Sequence, residues 1–117
     1  MTKNKEATRY FSSMHEQSIA KALGAVVNSS SGSSCFCKGD VVHNGASMLI
    51  EAKTTMTEKS SVSVKKEWID KNQKEAFLIR KQNSCVCFNF GPGSENYYVI
   101  NERLMKFLIE KLIEENS

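Results

Sequence analysis

Two hydrophobic periodicities alternate along this chain, and the switches between them mark its elements. From residue 7 to 24 apolar side chains recur at helical spacing (Phe11, Met14, Ile19, Ala22, Leu23), and Gly24 stands where a helix-ending glycine belongs. Ala25-Val26-Val27 predicts a short strand, followed by a loop of hydroxyls and one glycine over residues 28–34. Residues 35–42 read as a second strand, His43-Asn44-Gly45-Ala46 as an Asn-Gly hairpin turn, and residues 47–54 as the returning strand. A polar, mobile stretch over 55–62 leads to Ser63, the expected N-cap of a helix across 64–81 with Val64, Trp68, Ile69, Ala76, Phe77 and Ile79 as its buried stripe. Strands over 85–90 and 97–100 flank the turn Gly91-Pro92-Gly93-Ser94. Asn101 then caps a helix over 102–115, whose Leu104, Phe107, Leu108, Leu112 and Ile113 cover one side. The order is helix, three strands, helix, two strands, helix, an α/β chain.

Polar residues at apolar positions carry the chemistry. With Asn44-Gly45 as a two-residue loop, Asp40 opposes Leu49, and the strand period of two puts Leu49, Glu51 and Lys53 on the face of Asp40. Asp40 and Glu51 are then diagonal neighbours beside a lysine. That set suits a hard divalent cation, with an ammonium left for a phosphate or an attacking water. An acid two places before a lysine arises by chance about once in such a chain. Its place on the apolar strand of Met48, Leu49, Ile50 and Ala52 is what gives it meaning. The competing explanation is a cross-strand ion pair between Lys38 and Glu51. Glu16 falls on a stripe with Ile19, Ala20 and Leu23, and Gln73 lies one turn from Ile69 and Ala76, positioned to point back at the sheet.

Composition adds bounds. The 117 residues, 40% hydrophobic and 25% charged, fit one globular domain with a modest core that oligomerisation would support. No apolar run is long enough to span a bilayer and the first five residues lack the apolar stretch of a signal peptide, so a cytoplasmic protein without membrane attachment is expected. Net charge is +3. Residues 38–81 hold 9 Lys/Arg against 6 Asp/Glu, whereas 95–117 hold 3 against 5, so the basic side coincides with the acid pair and favours a polyanionic partner.

This layout resembles the PD-(D/E)XK nuclease superfamily, and within it the small Holliday-junction resolvases and related phage endonucleases. The resemblance rests on Glu16 in an early helix, Ser31-Gly32-Ser33, Lys38-Gly39-Asp40-Val41, Ile50-Glu51-Ala52-Lys53, Lys59-Ser60, Ser63-Val64-Lys65-Lys66-Glu67-Trp68 and Phe88-Asn89-Phe90-Gly91. It covers most of residues 9–100. Gly39 replaces the proline of the family name and leaves Asp40 in place. The resemblance implies one nuclease domain over 1–117, a restriction-endonuclease-like αβββαβ core with a mixed central sheet flanked by helices, and magnesium-dependent cleavage of DNA, foremost of four-way junctions. Asp40, Glu51, the Ala52 carbonyl and Glu16 would hold Mg2+, for which Mn2+ substitutes. Lys53 would orient water or stabilise the transition state, with Gln73 orienting Lys53 or the phosphate. Ser31, Gly32, Ser33, Lys38, Lys59, Ser60, Lys65 and Lys66 would meet the DNA, and a homodimer would present two sites to the junction. The location becomes the host cytoplasm if the gene is viral. Alternatives are a nuclease for nicked, flapped or linear DNA, and a non-catalytic nucleic-acid-binding module.

That last alternative draws on four cysteines. Cys35 with Cys37 and Cys85 with Cys87 each place two thiols on one strand face, enough for a structural zinc if the strands are neighbours. Zinc ligands more often sit two to four residues apart on turns, so small core residues in a reducing cytoplasm are the preferred reading. His15 and His43 are expected at the surface, without catalytic roles.

Overall fold

The computed structural model describes residues 2–28 and 40–117, with side chains from residue 7 onward. In order these form α1 (Thr2–Leu23), β1 (Val26–Val27), β2 (Asp40–His43), β3 (Met48–Lys53), α2 (Lys66–Leu78), β4 (Asn83–Phe88), β5 (Tyr97–Val99) and α3 (Glu102–Asn116). The strands make one five-stranded sheet in chain order. β1, β2 and β3 form an antiparallel meander, β4 is parallel to β3, and β5 returns antiparallel to β4. Only the parallel pair needs a crossover, and α2 supplies it. The fold is α/β with a mixed sheet.

Alternation in the strands sorts side chains between two helical layers. Val41, Ile50, Cys85 and Cys87 pack with Ile19 of α1, while Leu49 packs with Ala76 of α2. Cys85 and Cys87 are therefore core residues, and burial pushes their thiols up to about 12 and about 11, which keeps them protonated and inert. Cys35 and Cys37 lie outside the described residues. No His/Cys group with metal-binding geometry occurs among the described residues.

Several boundaries differ from the sequence expectations. The hairpin loop takes four residues, 44–47, rather than two. Ser47 adopts a left-handed φ of 51°, its N–H donates to the Asn44 carbonyl (3.1 Å), and the Ala46 N–H donates to His43 Nδ1 (2.9 Å). Asp40 consequently opposes Glu51, not Leu49, a slip of two residues that leaves every side chain on its expected face. Ser63 does not cap α2; the N-cap is Lys65, with no side-chain hydrogen bond. Phe77, expected in the core, is 80% exposed, and Val64 is exposed as well. His15 is buried rather than at the surface, with Nε2 3.0 Å from Asn96 Oδ1. α1 turns Ile19 and Ala20 inward as the stripe that included Glu16 requires, but with His15 beside them and Leu23 exposed.

The segment between β3 and α2 is held rather than loose. Thr54 Oγ1 donates to buried Asn89 (2.8 Å), and the Lys59 N–H donates to the Phe90 carbonyl (2.7 Å). Gly91 lies against the Glu58 backbone, where a Cβ would come within 3.1 Å of Cα. Gly91→Ala should therefore lower stability by roughly 1–2 kcal/mol through overpacking and increase proteolytic cutting between residues 55 and 62. Denaturant unfolding with limited proteolysis checks both effects.

Candidate metal centre

Three carboxyl groups converge on the α2 face of the sheet. β2 brings Asp40 and β3 brings Glu51, directly opposite one another across the antiparallel ladder. The third, Glu75, comes from α2. This helix docks through a stripe of Trp68, Ile69, Asn72, Glu75, Ala76 and Ile79 at helical spacing, and Asn72 Nδ2 donates to the Leu49 carbonyl (3.3 Å), fixing the helix to β3. Asp40, Glu51 and Glu75 are 2%, 3% and 7% exposed, and each presents an oxygen within 4.8 Å of the other two.

Two lysines border the group. Lys53 Nζ lies 3.1 Å from Glu51 Oε2; Lys71 Nζ lies 3.3 Å from Glu75 Oε2 and 3.9 Å from Glu51 Oε2. Both ammonium groups remain partly exposed, so the cluster opens to solvent on its lysine side. Trp68 steadies that rim: Lys53 Nζ sits 5.0 Å from its ring centroid and Lys65 Nζ 5.9 Å, within cation–π range.

The charge balance is incomplete. Burial, then repulsion from Glu51 and Glu75, pushes the Asp40 carboxyl up to about 8, against a smaller opposing pull from Lys71. Burial works to lower Lys71, but Glu51, Glu75 and Asp40 outweigh it and hold the ammonium above its ordinary range. Asp40 Oδ2, Glu51 Oε1 and Glu75 Oε1 are buried without a hydrogen-bond partner. One orphaned oxygen per acid is the donor set that a hard cation such as Mg2+ would satisfy, since magnesium takes oxygen ligands and retains waters.

The other expected site residues divide clearly. Asp40, Glu51 and Lys53 come together as expected, and Ala52 follows Glu51 with its side chain in the α1 layer. Glu16 is half-buried on α1, the layer on the other side of the sheet, and is not one of the three acids; burial raises its carboxyl. Gln73 is exposed and lines a hollow with Phe77, Arg80 and Arg103. It stands on the flank of α2 opposite Lys71, where it also borders the sheet in a small cavity with Ser84 and Val86; the polar residues that α2 buries are Asn72 and Glu75. Their signal was present in the sequence, as two polar residues on an apolar helical stripe. Lys59 and Ser60 are exposed near the Phe90 end of β4, while Lys66 pairs with Asp70 at 2.7 Å. Ser31, Gly32, Ser33 and Lys38 lie outside the described residues, and with Lys38 the proposed ion pair to Glu51. No protein-family model, curated protein or solved structure matches the chain.

Three buried acids this close together should be unfavourable when all are charged. Asp40 binds its proton more tightly folded than unfolded, so its contribution favours folding at acid pH and is lost as pH rises from about 4 to about 8. Asp40→Asn should therefore stabilise the metal-free protein at pH 8 by roughly 1–3 kcal/mol, and Mg2+ should raise the melting temperature of the wild type but not of the variant. Thermal melts with chelator and with Mg2+ provide the comparison. Destabilisation by Asp40→Asn at pH 8 would mark the cluster as a structural ion network.

Proposed function

We propose that this protein is a magnesium-dependent DNA endonuclease of the PD-(D/E)XK type, with branched DNA as its substrate. The observation that carries the reading is the set of three buried carboxyls, each with an orphaned oxygen, sharing one sheet face with Lys53. Support for a restriction-endonuclease-like core comes from the element order, α1, a three-strand meander, then α2 crossing to a parallel β4.

In this mechanism Asp40, Glu51 and Glu75 would hold Mg2+, with the Ala52 carbonyl next in the chain as a further candidate ligand. The bound ion would supply water activation and neutralise charge on the scissile phosphate. Lys53 sits at the open rim, where a phosphate can approach without the acids being exposed, and its ammonium offsets charge developing on the phosphoryl oxygens. Trp68 limits the directions in which that ammonium can swing. Lys71 screens Glu51 and Glu75 from the DNA backbone. Lys59 and Lys65 extend positive charge from this rim. Phosphate contacts of this kind give affinity without reading sequence, so junction preference would depend on the shape of the wider surface.

Labelled four-way junction, flap, nicked and linear duplex substrates, incubated with Mg2+ or with chelator, test the reading. Cleavage should require the metal and be fastest on the junction, and chelator should stop it without unfolding the protein. Asp40→Asn, Glu51→Gln, Glu75→Gln and Lys53→Ala should each lower the rate by about 10²-fold or more. Gln73→Ala should stay within about threefold of wild type, since helical spacing sets Gln73 on the flank of α2 opposite Lys71 and Glu75. Equal cutting of all four substrates would keep the nuclease and remove the junction preference. Near-wild-type cutting by Glu51→Gln would refute the site.

A further inference from the structure

The largest apolar surface among the described residues lies far from the acids, on α3. Met105, Phe107, Leu108, Ile109, Leu112 and Ile113 are all at least two-fifths exposed, and only Leu104 of this helix is buried. The helix is anchored at its start alone. Asn101 Oδ1 accepts from the Leu104 N–H (2.9 Å), and Arg103 donates to the Gln82 carbonyl (3.2 Å) and Asn83 Oδ1 (3.0 Å). Beyond that first turn the helix projects, and the molecule measures 54 Å along its longest axis. A 15-residue helix is marginal in water without a packed face. Six large half-exposed side chains leave on the order of 500 Å² of apolar surface, a patch as large as a monomer ordinarily tolerates and well over half of the about 800 Å² that each partner buries in a stable complex.

Beside the anchored end lies a hollow of about 740 Å³ lined by Ala76, Phe77, Leu78, Arg80, Lys81 and Arg103. Arg80, Lys81 and Arg103 give it positive charge, beside exposed Phe77 and Leu78 and several uncharged polar side chains. The free end of α3 has the complementary composition, Leu112 and Ile113 followed by Glu114 and Glu115. One molecule cannot bring the two together, because they lie at opposite ends of the same straight helix, about 1.5 Å per residue apart. A two-fold axis across the middle of α3 brings them together twice.

We infer that α3 is a self-association surface: a second copy of this chain packs its α3 antiparallel against the first, with each acidic C-terminal turn over the partner's basic hollow. The exposed apolar stripe of Met105, Leu108, Ile109 and Leu112 forms the centre of the contact. Glu114 and Glu115 set its direction, since a parallel pairing would place acid on acid. This inference does not depend on the nuclease reading.

Light scattering during size exclusion, with sedimentation to obtain the dissociation constant, tests it on the full chain. The wild type should run at twice the chain mass. Leu108→Glu with Leu112→Glu should run at one chain mass with unchanged helix content at the same concentration. Glu114→Lys with Glu115→Lys, which leaves the apolar stripe intact, should weaken the dimer at least tenfold, and adding Arg80→Glu with Lys81→Glu should restore most of that loss. A monomeric wild type, or a dimer indifferent to the leucine changes, overturns the proposal. A dimer that tolerates the charge reversal overturns the antiparallel arrangement.

Discussion

Three carboxyl groups held within 4.8 Å of one another and shielded from water cannot all carry charge without more positive charge than two lysines at an open rim supply. Much of the molecule serves to create that crowding. The meander sets Asp40 opposite Glu51, and Asn72 clamps α2 on β3 so that Glu75 arrives above them. The parallel placement of β4 sets Val86 beside Glu51 on the other side of β3. In the metal-free protein the arrangement responds by keeping Asp40 protonated until about pH 8. A divalent cation would remove the conflict at once, satisfying the orphaned oxygens and allowing all three acids to ionise.

The same layout explains why the site lies on one face only. The α1 side of the sheet is an apolar layer in which Ile19 meets Val41, Ile50, Cys85 and Cys87. His15 is buried there as well, where burial lowers its pKa, and it contacts Asn96 and Cys87. A carboxylate entering from α1 would have to cross or round this layer, whereas α2 already faces Asp40 and Glu51. Glu75, and not Glu16, is therefore the third acid of the group.

Legibility in the sequence followed the periodicity of each element. The strands, helices and their order could be read because alternation and helical spacing are strong in 40–53 and 97–116, and Asn101 proved to be the N-cap of the last helix. The shared face of Asp40, Glu51 and Lys53 survived an error in the loop, because a two-residue slip preserves parity. Glu75 was missed for an instructive reason. A stripe of apolar residues alone takes in Phe77, one turn from Gln73 on the outer flank of α2, and omits the two polar residues that the helix buries. His15 was missed in the same way. Polar residues become part of a core when partners on other elements satisfy them, and those partners, Leu49 for Asn72 and Asn96 for His15, are remote in sequence.

The central claim is that Asp40, Glu51 and Glu75 form one cation site. Diffraction from crystals soaked in Mn2+, collected where manganese scatters anomalously, addresses it without reference to any activity. An anomalous peak bonded to oxygens of all three acids, at the roughly 2.0–2.2 Å separations of a small hard cation, is the expected result. Acids that instead hydrogen-bond to one another and to the lysines, with manganese absent at millimolar concentration, would contradict it.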